Sequence, residues 1–215
     1  MKKVKKRRPS PERERRRAAI LAAAIELFAE RGMDNVNFGD IARKARLSRP
    51  LVYFYFPDLE KLVFETLIIA AERLHRHFMA ALHPSDCGLD QIMAIGRAYV
   101  SFSQDEPALF EILAHKESNQ MQKGSTEPIA EDCQRHYDAI MSLLVAALQK
   151  GIRDGSIRKD VGDTGKVAIC LWGLTHGLIQ LASNQMDTLE TNLGASFKDL
   201  PAFGLDLISR SLRAK

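Results

Sequence analysis

Leu47-Ser48-Arg49-Pro50-Leu51-Val52-Tyr53-Phe54-Tyr55-Phe56-Pro57 can be read as strand or as helix, and the fold class turns on the choice. By propensity alone, LVYFYF is a strand, being β-branched, aromatic and continuous. Three features favour a helix. Ser48 is a preferred N-cap. Pro50 falls in the first helical turn, where a missing N–H costs least. No second strand-like run lies nearby to pair with it. The segment is therefore predicted to be a short helix with Val52 and Phe56 inward.

Working upstream, Asn37 is a suitable N-cap, and Phe38, Ile41, Ala42 and Ala45 form the inward face of another short helix. Before it, Ile20, Ala24, Leu27 and Phe28 recur at helical spacing in a helix that starts at Arg13 and stops at Arg31-Gly32. Gly32 suits a left-handed cap. The expected unit is helix, short turn, helix, with Ile41, Ala45, Leu47, Val52 and Phe56 buried. Downstream, a long helix runs from an Asp58 cap to about Leu82. Further helices are expected over 88–105, 107–118, 127–151, 163–183 and 196–213, with a glycine-containing loop at Gly151–Gly162. The class is all-α, with no repeat and no sheet.

The 215 residues carry a net charge of +4, which hides an asymmetry. Residues 1–17 hold ten basic and two acidic side chains; residues 63–215 sum to −4. Residues 1–12 read as a disordered basic arm. No apolar run approaches the roughly 20 residues that span a bilayer, and no apolar core of a signal peptide precedes Ala18. The expected location is the bacterial cytoplasm, with the nucleoid when bound to DNA, and no membrane. Cys87, Cys133 and Cys170 form no paired motif and read as reduced thiols packed as small hydrophobes. Phosphate-cradling glycine loops, the GxSxG elbow and HExxH are absent from the sequence. His115, His136 and His176 fit no zinc spacing, so no metal and no cofactor is expected.

Leu27-Phe28-Ala29-Glu30-Arg31-Gly32, Ile41-Ala42, Ala45, Leu47-Ser48, Tyr53, Phe56-Pro57 and Leu62 together resemble the DNA-binding domain of the TetR family of one-component bacterial transcriptional regulators. The match covers about 50 residues, and beyond residue 65 the likeness is one of architecture. It implies a helix-turn-helix domain over 13–62 and a helical ligand-binding and dimerisation domain over 63–215. Four departures stand out. Arg46 and Pro50 occupy positions where the family usually has Gly. Tyr55 replaces its usual His, and Leu59 its usual Lys. A left-handed Arg46 costs about 1 kcal/mol relative to Gly.

Electrostatics point the same way, since the arm with Arg43, Lys44, Arg46, Arg49 and Lys61 matches a duplex whose phosphates release counterions when neutralised. By the resemblance, Ser48, Arg49, Pro50, Tyr53, Phe54 and Tyr55 face double-stranded DNA, and Asn37 presents a helix N-terminus to phosphate. Arg49 is the candidate base reader, because a guanidinium grips guanine O6/N7 bidentately. Tyr53 and Tyr55 reach phosphates through their hydroxyls. Phe54 reads equally as core and as DNA-facing.

One short recognition helix reads few base pairs, so a homodimer on a pseudo-palindromic operator is expected. Helix 163–183, apolar on nearly every side, supplies the interface with Gly173, Gly177 and Leu181, joined by Phe203 and Leu207 of the last helix. The resemblance implies a pocket for a small-molecule effector, with Phe102, Phe110, Leu113, Tyr137, Met141, Trp172 and His176 as candidate liners. The expected function is a ligand-released repressor, not an enzyme. The competing reading is a helical enzyme or ligand-sequestering protein with an incidental basic arm.

Overall fold

The computed structural model describes residues 10–118, 128–183 and 199–214. Helices α1 (Pro11–Arg31), α2 (Phe38–Ala45), α3 (Arg49–Tyr55), α4 (Leu59–Ala81), α5 (Gly88–Asp105), α6 (Pro107–Ser118), α7 (Pro128–Asp154), α8 (Thr164–Ser183) and α9 (Leu200–Leu212) follow in order. Among the described residues no strand forms, only an isolated antiparallel bridge between Ile157 and Arg213. No described helix is long and apolar enough to cross a membrane. The chain forms two compact units, one from residues 1–70 and 108–133, the other from 71–107 and 134–215.

The first unit is built from local signals. Helix α1 opens at Pro11, two residues before the expected Arg13, because Ser10 Oγ accepts from the Arg13 N–H at 3.4 Å and Pro11 pre-sets the first turn. The expected arm thus shortens to residues before Ser10, and residues 1–9 lie outside the described part. Gly32 ends α1 at φ 77°, ψ 154°, a region open almost only to glycine rather than the left-handed helical cap the sequence suggested. Asn37 caps α2 as expected. Its Oδ1 accepts from Gly39 and Asp40, and Asp40 Oδ2 accepts from the Asn37 N–H in return. Arg46 stands at φ 55°, ψ 42°, and the next N–H, of Leu47, donates to the Ala42 carbonyl at 2.9 Å.

LVYFYF is helical. Val52 and Phe56 are fully buried with Ile41, whereas Ala45 and Leu47 are half-buried. Ser48 holds the N-cap position, but its hydroxyl makes no capping bond. The reason is local: Pro50 has no N–H to give, and the Leu51 and Val52 N–H groups go to the Ser48 carbonyl.

In the second unit α7 runs through Gly151 to Asp154, so the loop starts at Gly155 rather than Gly151. A methyl on Gly88 would come within 2.0 Å of the Gly151 backbone, so Gly88 lets the start of α5 touch the α7 backbone, while the missing side chain of Gly151 leaves room for Ile157. The start of α5 is capped from a distance: the Gly88 N–H donates to Asp154 Oδ2 at 2.8 Å and the Leu89 N–H to Ser156 Oγ at 3.1 Å. Helices α8 and α9 are equally close, with Leu178 filling the space a side chain on Gly204 would need. Cys133 is buried, but Cys170 is exposed on α8 and does not pack as a core residue.

Candidate nucleic-acid interface and internal cavity

Helix α3 projects Arg49, Pro50, Tyr53 and Phe54 outward from a core of Val52 and Phe56. Tyr53 is 52% exposed, yet its ring is held edge-on against Phe38, 4.6 Å between centroids. Phe54 is 67% exposed, which excludes it from the core. The Arg13 guanidinium lies 5.6 Å from its ring centroid, and Tyr55, half-buried, packs edge-on beside it. Arg17 lies over Phe56 and pairs with Glu65 of α4, so α1, α3 and α4 are joined at this point.

The cations of this surface are not equivalent. Lys44 is bound to Glu26 at 2.7 Å and Glu30 at 3.5 Å on α1, and its hydrogen bond to Glu26 holds its ammonium above the ordinary lysine pKa. Arg43 pairs with Asp40 at 3.3 Å. Arg46, Arg49 and Lys61 are exposed; Lys61 follows Asp58, whose carboxylate caps α4 by accepting the Lys61 N–H at 2.6 Å. The guanidinium of Arg49 lies directly over Gly39, where a Cβ would sit 2.6–2.9 Å from its atoms. Sequence reasoning missed this seat, and it missed Arg15 and Arg16 of α1 as members of a groove that also includes Arg46, Leu47, Ser48 and Leu51. Their signal was present: both lie on α1 just before its apolar stripe, and were counted only as charge.

The second unit encloses a small apolar cavity of about 20 Å³, walled by residues that include Phe78 of α4, Tyr99 of α5, Leu144 of α7, Trp172 and Thr175 of α8, and Leu205 of α9. Tyr99 and Trp172 stack at 4.7 Å, and the Tyr99 hydroxyl is 2.8 Å from His176 Nδ1. Of the seven candidate liners only Trp172 borders this space. His176 stands behind it against Tyr99; Phe102 is buried beneath His77, 5.2 Å between rings. Tyr137 is half-buried on α7, and Met141 belongs to a separate groove on α7 with Asp138 and Ser142. Phe110 and Leu113 are core residues of the other compact unit. The structure therefore does not bring the seven together. The residues missed, Ile92, Ile95 and Tyr99, recur along α5 at helical spacing and were legible as an inward stripe.

The outer faces of α8 and α9 expose Ile169, Leu174, Leu181, Phe203 and Leu207. Beside them nothing lies within 4 Å of where side chains on Gly173 or Gly177 would begin. Helix α8 is thus covered on one side and bare on the other.

Comparison with known proteins agrees with this anatomy. Residues 20–66 match the family model "Bacterial regulatory proteins, tetR family", and residues 92–201 match "Tetracyclin repressor-like, C-terminal domain". The HTH-type transcriptional regulator TtgR of Pseudomonas putida is 25% identical over 183 residues, 81% of this chain and 83% of that protein. The HTH-type transcriptional regulator BetI of Agrobacterium fabrum is 34% identical over 91 residues, 42% of this chain and 43% of its own length. Among solved structures, a regulatory protein of the tetR family from Rhodococcus RHA1 superposes with TM-score 0.75 at 18% identity, covering 93% of this chain and 98% of that one. A transcriptional regulator from Saccharomonospora viridis, solved in complex with choline, superposes with TM-score 0.71 at 20% identity over 94% of this chain and 100% of that one. With an exposed helix α3 opened by Arg49 in one unit, an apolar cavity in the other and both halves matched, this chain belongs to the tetR family of bacterial regulatory proteins and is a DNA-binding transcriptional regulator.

Proposed function

We propose that the protein is a repressor that binds a pseudo-palindromic operator as a homodimer and leaves it when a small-molecule effector occupies the second unit. The observation that carries this reading is the pairing of an outward-facing α3, with Arg49 at its first turn, and a bare apolar face on α8 and α9. Arg49 reads a base edge, while Tyr53, Tyr55, Arg46 and Lys61 with Arg15 of the groove hold phosphates, and Arg16, paired with Glu12 at 2.8 Å, adds to the field. Asn37 brings the N-terminus of α2 to the backbone. Lys44, engaged with Glu26 and Glu30, contributes through the field more than through contact. Ile169, Gly173, Leu174, Gly177, Leu181, Phe203 and Leu207 meet their two-fold mates, which sets the spacing of the recognition helices to about one helical turn of DNA or a multiple of it.

The effector acts by preferring one packing of the body. Helix α4, shared by the two units, transmits that preference, and operator affinity falls only by the ratio of effector affinities for the two states. Footprinting of the full chain on DNA upstream of its own and neighbouring genes tests the reading. Protection of a discrete two-fold site is expected. Uniform coating, or no protection, overturns it.

A further inference from the structure

The cavity in the second unit has a chemistry that narrows its ligand, provided that the reading as an effector-released regulator holds. None of the side chains lining it carries a charge. An ion entering it would leave its hydration behind and meet no counter-ion. The aromatic rings do not supply a substitute. Tyr99 and Trp172 stack on each other with planes 24° apart, and Phe78 meets Tyr99 edge to face at 6.1 Å, so the rings are packed against one another and not arranged round a common centre as a cation cage would be. The one hydroxyl on the wall whose bond is fixed is Thr175, which donates to the Leu171 carbonyl at 2.9 Å. What Thr175 has left to offer is the lone pairs of its oxygen, so at that point of the wall a ligand is met by an acceptor and brings the donor.

The size of the space adds a second constraint. At about 20 Å³ it is room for one water, not for an organic molecule. The side chain that closes it is Leu205 of α9, whose methyl fills the place where a Cβ on Gly96 of α5 would stand, 2.4 Å away. Gly96, having no side chain, leaves that place to the Leu205 methyl. Leu205 and Ile208 are on the inner side of α9; Phe203 and Leu207 are on its bare outer side. Displacing Leu205 therefore presses on the helix proposed to meet the second subunit.

We infer that the effector is a small, uncharged, mostly apolar molecule with one hydrogen-bond donor, which enters by lifting Leu205 from Gly96 and seats its donor on Thr175. The chain has a single tryptophan, Trp172, and it stands in the wall, so its fluorescence reports occupancy without DNA.

The test is a matched pair of probes, 3,3-dimethyl-1-butanol and choline chloride, which share shape and hydroxyl and differ by carbon for quaternary nitrogen. They are titrated against the full chain, with N-acetyltryptophanamide as the control for solvent quenching. The alcohol is expected to give a saturable change in Trp172 emission, with choline at least about tenfold weaker. Leu205→Ala is expected to tighten the alcohol about threefold or more without improving choline, since the stopper is gone. Leu205→Val, which shortens the stopper by one carbon, serves in the same way should Leu205→Ala not fold. Choline binding as tightly as the alcohol, or no saturable binding of the alcohol to the wild type or to the folded variant, overturns the inference. Operator binding, followed separately by anisotropy, keeps the two readings apart. Binding of a discrete operator without binding of the alcohol removes the effector class alone, and binding of the alcohol without binding of DNA removes the repressor reading.

Discussion

Arg46 is the only non-glycine residue with positive φ among the described residues, and it occupies the turn of the DNA-binding motif. Its strain was legible through the family resemblance, because relatives usually place glycine at this position of the turn. Arg46→Gly should therefore stabilise the protein by about 1 kcal/mol, raising Tm by about 2–4 °C in a chain of this size. The same change removes an exposed cation, so operator affinity should fall and its salt slope drop by about one unit. A variant that gains stability and keeps its salt slope would take Arg46 out of the interface. The seat of Arg49 was not legible, because Gly39 and Arg49 meet only after the turn folds one helix over the other. Arg49→Ala should cost about 1–3 kcal/mol of operator binding and relax specificity at one position. Gly39→Ala, which leaves every donor in place but evicts the guanidinium from its seat, should lose less affinity than Arg49→Ala with helicity by circular dichroism unchanged. Equal affinity for Gly39→Ala and wild type would show that the seat does not aim Arg49.

At the scale of elements, the helices were read correctly where their signals are local and misread where partners are distant in sequence. Asn37 caps its own helix and was legible; the α7 end was not. Gly151 looks like a breaker in sequence, but it is inside α7, where Gly88, 63 positions earlier, comes against its backbone and Ile157 takes the place a side chain on it would need. The cap of α5 likewise comes from Asp154 and Ser156, and no sequence rule connects residues so far apart. Asp154 also accepts from the Ser156 N–H at 2.9 Å, and the Ser156 hydrogen bonds, foremost, with the Gly88 N–H and Lys150 hold its carboxyl below the ordinary aspartate pKa. A carboxylate depressed in the folded state contributes stability above its unfolded pKa and loses it as pH falls through the folded value. Asp154→Asn is accordingly expected to cost about 1 kcal/mol at neutral pH, as for other lost caps. The difference from wild type should shrink steadily once pH drops below about 4. Urea midpoints across that range measure it, and a pH-independent difference would assign the effect to packing instead.

At the scale of the whole molecule the sequence announced a division of charge, with ten basic side chains in residues 1–17 and a net of −4 over residues 63–215. That division was legible because charge needs no partner to be counted. The cavity was not, because it exists only where stripes from five helices meet, and Phe102, Phe110 and Leu113 have the same apolar character as the residues that line it. The exposed face on α8 and α9 falls between these cases. A helix apolar all round must be covered all round, and the structure leaves Ile169, Leu174, Phe203 and Leu207 bare. The proposed second copy would use the open space above Gly173 and Gly177, since small residues let helices approach closely. Leu174→Glu places a charge in the middle of that face, 47% exposed in the single chain and desolvated in a dimer. The free chain should tolerate it with Tm nearly unchanged, while sedimentation equilibrium should show monomer at concentrations where wild type is dimer. Operator affinity should fall by about a hundredfold or more, because two half-sites bound by one linked pair become two weak independent events. Loss of Tm with retained dimerisation would mean that the face is core-facing in solution. Retained dimerisation with full Tm would place the subunit contact on another surface, and with it the geometry that brings two recognition helices to one operator.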